Sequence, residues 1–366
     1  FNNDSTNTTA TFGPIETWDV SGVTNMSGLF SGLADFNGDI SSWNTSAVTD
    51  MSRMFEGAAK FNQPLSFDTS SVTSMRAMFD MSSVVPNASD TCSRRLSDTD
   101  SDGPAFNSPL IFDTSSVTDL QAMFRQVPLY NQPLILLNTS RVTDMSEMFH
   151  GATAFNQSLS FNCTFAHTFC NATYFDRSKN YTSRRRLSRE TFNSPVNFDT
   201  SRVTYMAGMF KGCSVFNQPL SFDTSSVTDM SEMFQGATAY DQPLSFDTSQ
   251  VTDMADMFAQ ASAFNKPMSF DTSELRDMHA MFQQATDFNQ PMTFDTSSVT
   301  DMSYMLQGAT SFYQPLDFDF TSVIDMTCML AVTSCTGSSL IRRRRALSCI
   351  PEDEPLVFNQ PITLGT

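Results

Sequence analysis

Apolar residues in this chain recur with a period of 24, and inside each period they follow two shorter rhythms. In residues 216–239, FNQPLSFDTSSVTDMSEMFQGATA, the apolar positions are Phe216, Leu220, Phe222, Val227, Met230, Met233, Phe234 and Ala237. Leu220 and Phe222 alternate with polar Ser221, which is strand spacing, whereas Met230, Met233, Phe234 and Ala237 fall at i, i+3, i+4 and i+7, which is helix spacing. Each period therefore predicts one very short strand, PLSF, and one short helix, MSEMFQGA. Asp229 reads as the helix cap, Glu232 completes a capping box, and Gly236 supplies the stop. Pro219 sits at the strand entrance, where a missing N–H is tolerated.

Anchoring on the apolar residue of SSVTDM gives Val23, Val48, Val72, Val117, Val142, Val203, Val227, Val251, Leu275, Val299 and Val323. Two intervals are long. The interval from Val72 to Val117 reads as one turn plus an insertion, and that from Val142 to Val203 as two turns plus an insertion, with a degenerate turn anchored on Ala166. The expectation is about twelve turns. One turn buries too little apolar surface to offset the backbone entropy of ordering 24 residues, so neighbouring turns must share a core. Two helices per repeat would need about 33 to 47 residues. The fold class expected is thus an α/β repeat solenoid over residues 1–366, with one short parallel strand and one short helix per turn.

The stretch WNTSAVTDMSRMFEGAAKFNQPL, Trp43 to Leu65, and its FDTSSVTDMSEMF copies resemble the BspA-like repeat, of the type also known from Mycoplasma lipoproteins and as the PARCEL repeat. The resemblance implies a leucine-rich-repeat-like solenoid, on a cell surface or secreted, that mediates adhesion or protein contact, and it carries over no catalytic residue. The chain departs from the pattern in usually having Phe where Trp is typical, only Trp18 and Trp43 remaining.

Net charge changes the picture of partners. With charged residues at 16% and a formal charge of −18, the surface is polar and acidic, which disfavours nucleic acid. No apolar run is long enough to span a membrane. Seven cysteines are too few for a disulfide scaffold and too irregular for a zinc site; Cys163 with Cys170 and Cys335 with Cys349 are the candidate local pairs, leaving Cys92, Cys213 and Cys328 unassigned. Sequons at Asn44, Asn87, Asn138, Asn162, Asn171 and Asn180 are candidate N-glycosylation sites. Cysteines and sequons together point to a secreted or cell-surface protein.

Repetition turns positions into columns. One acidic column includes Asp223, Asp247, Asp271 and Asp295, and a second includes Asp229, Asp253, Asp277 and Asp301. These aspartates read first as helix caps and Asx-turns, which need no cofactor, and second as a calcium ladder, with Ca²⁺ as the one candidate cofactor. Threonine columns such as Thr224, Thr248, Thr272 and Thr228, Thr252, Thr300 read as turn-flanking residues, with ice binding as the alternative.

Three insertions interrupt the period, over residues 80–105, 161–191 (with the degenerate turn) and 331–357. All are expected after the predicted helix, at one edge of the array. They carry Arg94 and Arg95, Arg184, Arg185 and Arg186, and Arg342, Arg343, Arg344 and Arg345. Arginine offers forked bonds to carboxylate or sulfate, so these segments are candidate docking loops for another copy of the chain, an extracellular glycoprotein or an acidic glycan. Solvated loops, a protease processing site at RRRR and a kinase site at RRLS are the competing readings. Three histidines at unrelated repeat positions offer no catalytic constellation. The expected function is a non-enzymatic structural or interaction protein, a segment or subunit of a surface filament, sheath or appendage. The chain starts and stops within a turn, which motivates end-to-end assembly. A monomeric adhesin is the alternative.

Overall fold

Asparagine and aspartate at the SSVTDM segment mark where successive turns meet. Asn25, Asp50, Ser74, Asp119, Asp144, Tyr205, Asp229, Asp253, Asp277, Asp301 and Asp325 form an unbroken series of parallel bridges, each residue paired with its counterpart in the next turn. The structure, a computed structural model, describes residues 12–84, 104–136, 138–159 and 198–330. Eleven stacked turns lie within them.

The predicted strand survives in reduced form. Among the described residues, full pairing occurs only between β1 (Leu110–Phe112) and β2 (Leu134–Leu136), parallel, with Leu110 opposite Leu134, Ile111 opposite Ile135 and Phe112 opposite Leu136. In these two turns the middle residue is Ile, whereas PLSF turns have Ser there; β-branched side chains favour the pleated surface. No other strand is assigned to this segment among the described residues.

The predicted helix is absent from every described turn, and a 3-10 helix at Ile15–Thr17 precedes the stack. MSEMFQGA instead runs as consecutive tight turns. Glu232 and Gly236 are left-handed, with φ of 56° and 69°, and the same pair of positions is left-handed in other turns, as at Asp256 and Gln260. Each amide from Met230 to Asp241 still has an acceptor. The amides of Met230, Glu232, Phe234 and Gly236 cross to the carbonyls of Asp253, Ala255, Met257 and Ala259, while Met233, Gln235 and Ala237 bond back three residues. The capping box is likewise replaced: Asp229 Oδ1 accepts the Ser231 amide at 2.9 Å and its hydroxyl at 2.7 Å, an Asx-turn rather than a helix cap.

Spacing explains the loss of the helix. Helices pack about 8–10 Å apart, whereas parallel strands lie about 4.8 Å apart. The Phe234 and Phe258 rings, on the would-be helices of adjacent turns, are stacked with centroids 5.5 Å apart. The backbones are equally close, the Phe234 amide lying 2.9 Å from the Met257 carbonyl of the next turn, and at that separation two helices would interpenetrate, so a flat path of turns is what fits.

One apolar core runs through the stack. Two aromatic columns line it, such as Phe210, Phe234, Phe258 and Phe282 beside Phe216, Tyr240, Phe264 and Phe288. Methionines at the Met230 and Met233 positions fill the rest.

The stack is continuous across both internal insertions. Ser74 bridges Asp119, and Asp144 bridges Tyr205. Phe149 stacks on Phe210 and Phe155 on Phe216. The turns anchored on Val142 and Val203 are therefore direct neighbours, and the degenerate turn expected around Ala166 lies outside the described residues. The insertions expected over residues 80–105, 161–191 and 331–357 lie mostly outside the described residues.

Candidate interaction site

Most of the repeated polar residues are consumed by the scaffold. Thr224 Oγ1 donates to the Asp247 carbonyl and Thr248 Oγ1 to that of Asp271, both at 2.8 Å, and this threonine column is buried throughout. One of the two threonine arrays considered for ice binding therefore cannot meet a crystal surface. In the other, Thr252 Oγ1 donates back to the Thr228 carbonyl.

An asparagine ladder does equivalent work on another side. Asn156 Oδ1 accepts the Asn217 amide, Asn217 Oδ1 the Asp241 amide, Asp241 Oδ1 the Asn265 amide and Asn265 Oδ1 the Asn289 amide, all at 2.9–3.0 Å. The FN pair at each turn was its sequence signal, and periodicity of apolar residues alone passes over it.

In the column of Asp223, Asp247, Asp271 and Asp295, each Oδ1 accepts the amide and hydroxyl of the serine two residues on. Those serine bonds hold the carboxyls of Asp223, Asp247 and Asp295 below the ordinary aspartate value. Asn44 and Asn138 occupy the same column, exposed, each accepting the amide two residues on.

What varies from turn to turn is the outer face of the tight turns. At the Ser231, Glu232 and Gln235 positions the chain places Arg53, Glu56, Arg76, Asp80, Arg125, Glu147, His150, Lys211, Asp256 and His279. Lys211 Nζ reaches Glu232 Oε2 at 2.6 Å, Gln235 Nε2 donates to Asp256 Oδ1, and His279 Nδ1 lies 2.8 Å from Ser303 Oγ. Burial raises the Asp256 carboxyl above the ordinary value; the neighbouring His279 opposes this and Glu232 adds to it.

The densest group surrounds Arg125. Its Nε and Nη2 donate to Asp80 Oδ2 at 3.0 and 2.7 Å, Nη2 also to Ser82 Oγ, and Nη1 to Glu147 Oε2 at 2.7 Å. Asp80 is fully buried. Burial works against the Arg125 charge, but the Asp80 and Glu147 carboxylates outweigh it and the guanidinium is held more firmly protonated. His150 and Arg125 hold Glu147 at a pKa of about 2. Beside this network, where the left-handed positions carry Ala77 and Ala122, the face opens into a cleft lined also by Arg53, Glu56, Arg76 and Gln121.

The sequence-predicted arginine sites, Arg94, Arg95, Arg184, Arg185, Arg186, Arg342, Arg343, Arg344 and Arg345, lie outside the described residues. So do Asn87, Asn162, Asn171 and Asn180 and the cysteines 163, 170, 335 and 349. Cys328, left unassigned from sequence, is disulfide-bonded, and Cys213 is buried with its thiol 3.1 Å from the Phe149 carbonyl. No helix among the described residues is long and apolar enough to cross a membrane.

A family model described as "Mycoplasma protein of unknown function, DUF285" matches residues 1–100, 94–188, 184–269 and 245–340. No curated protein sequence and no solved structure matches the chain.

Proposed function

Since the chain belongs to the DUF285 family, we propose from its stacked repeats that it is a non-enzymatic interaction scaffold of a cell surface, presenting the outer face of its tight turns to a protein partner. At the finer level it is a BspA-like solenoid. Its asparagine ladder corresponds to the fixed asparagine of leucine-rich repeats, with the helix of those repeats replaced by turns.

One observation carries the functional reading. The Thr, Asp and Asn columns are tied into the scaffold, whereas the turn face changes identity from turn to turn and gathers opposite charges. A surface that varies on an invariant frame is how repeat arrays encode a partner. The disulfide at Cys328 supports an oxidising, extracellular setting, as do the exposed sequons at Asn44 and Asn138.

A second reading, assembly of copies into a filament or sheath, is favoured by the direction of the cross-turn bonds. The amides of Met230, Glu232, Phe234 and Gly236 all point toward the following turn, so each turn's edge is complementary to the next. Docking through the Arg-rich segments belongs to this reading.

The test is surface plasmon resonance of the purified chain against a panel of purified extracellular proteins, with electron microscopy of the same sample. The expected result is a partner whose affinity falls at least tenfold when Lys211 and Glu232 are both changed to Ala, but not when Ser71 and Ser226 are. Affinity unaffected by any turn-face substitution would overturn the scaffold reading, and filaments of stacked chains on the grids would establish assembly in its place.

A further inference from the structure

We propose that the cleft over Ala77 and Ala122 receives the carboxylate of an acidic residue from an extended segment of a partner protein, with Arg53 and Arg76 binding the carboxylate and Gln121 Oε1 accepting an adjacent N–H. The site deepens the scaffold reading above and rests on it.

The cleft exists because of two small residues. Along the left-handed column, Arg53 and Glu147 stand at the ends, and between them Ala77 and Ala122 project only a methyl each. Its volume of about 90 Å³ lies well below the roughly 300–1,000 Å³ of pockets that enclose a free small molecule. The space suits one side chain of a larger partner.

Three polar groups bordering it are uncommitted or nearly so. The Arg53 side chain is exposed and its guanidinium has no hydrogen bond or ion pair among the described residues, the backbone alone being bonded, to Arg76 and Glu56. Arg76, also exposed, has one distant ion pair, 3.9 Å from Asp119 Oδ2. Gln121 Oε1 is buried without a donor, and a buried acceptor left unpaired costs about 1–3 kcal/mol until something supplies one. Arg125, by contrast, is saturated by Asp80, Ser82 and Glu147. It forms a rigid wall rather than a ligand-binding group.

The charges select the ligand. The lining holds three arginines, matched by three carboxylates at Glu56, Asp80 and Glu147. A polyanion such as a sulfated glycan gains nothing from a lining without net charge, because Glu56, Asp80 and Glu147 repel its further charges. A single carboxylate beside a peptide amide satisfies both the free guanidinium pair, through forked bonds, and the orphaned acceptor.

The experiment is fluorescence anisotropy with the intact chain and a fluorescein-labelled peptide, Gly-Ser-Asp-Gly-Ser-Asp-Gly, against its Asn counterpart, with chondroitin sulfate as competitor. The Asp peptide is expected to bind at least tenfold more tightly than the Asn peptide. The preference should vanish in the R53Q/R76Q double variant, whose side chains are exposed and whose melting temperature should be unchanged. Gln121→Met should weaken binding at least threefold, and a Lys266→Gln control should not. Equal binding of the two peptides, an unchanged preference in R53Q/R76Q, or chondroitin sulfate binding through Arg53 and Arg76 in place of the peptide would overturn the proposal. The scaffold reading survives that failure if the Lys211 and Glu232 substitutions still abolish binding to the larger partner, and falls with it if they do not.

Discussion

Thr204 donates its amide at 2.9 Å and its hydroxyl at 3.2 Å to the carbonyl of Thr143, although 61 positions separate the two in sequence. Thr228 makes the same pair of bonds to Thr204 across the ordinary 24. The turns that flank the long interval are therefore direct neighbours in the stack. Replacing residues 160–197 by a single Ser would restore the LSF spacing between Leu159 and Phe198. The expected product keeps the parent's far-ultraviolet circular dichroism and one cooperative melt, within a few degrees of the parent. Loss of cooperativity would show that those residues supply a layer of the core.

Ala280 sits at φ 50° in the stretch whose spacing resembles a helix. Glycine adopts the left-handed region freely, whereas inside a helix it is less favourable than Ala by roughly 0.5–1 kcal/mol. Ala280→Gly is thus expected to stabilise the chain by about 0.5 kcal/mol in urea unfolding, because relief of a left-handed penalty of about 1–2 kcal/mol exceeds the about 0.8 kcal/mol lost with the buried methyl. A helix would give the opposite sign.

Tyr240 replaces Phe in an aromatic column, stacked on Phe234 with centroids 4.2 Å apart. Its hydroxyl is buried without a partner, and burial raises its ionisation well above the ordinary tyrosine value. Tyr240→Phe removes an unsatisfied group without disturbing the stack, so thermal stability should rise, by about 1 kcal/mol. Tyr130→Phe should behave alike.

Glu147, with a pKa lowered from 4.5 to about 2 by His150 and Arg125, stabilises the folded chain through its charged form. A depressed folded pKa means that this contribution is complete above pH 4.5 and is lost as pH falls toward about 2. Burial instead raises Asp253 and Asp256, whose contributions change with the opposite sign as their carboxyls ionise. Comparing the chain with Glu147→Gln isolates the one group. The melting-temperature gap between them should be constant at neutral pH and close between pH 4.5 and 2; a gap independent of pH would exclude this role.

Much of the scaffold was legible in the residues. The period located the core, and Val227, Met230, Met233 and Phe234 are all fully buried. The Asx-turn reading of Asp223 agrees with its Oδ1, which accepts the amide of the serine two residues on. The cleft was not legible, because Arg53, Ala77, Gln121 and Glu147 lie in different turns and become neighbours only when those turns stack. Apolar spacing also could not separate helix from consecutive turns, since Met230, Met233, Phe234 and Ala237 point inward in both.

The sequence by itself determined that the chain is a stack, because one 24-residue turn cannot bury enough to hold its own shape. The tertiary structure decided how each turn runs. Parallel bridging and the 5.5 Å spacing of Phe234 and Phe258 leave no room for a helix, so the amides of Met230, Glu232, Phe234 and Gly236 cross to the next turn. The same proximity let Asp144 meet Tyr205 directly, and no count of residues between them could reveal it.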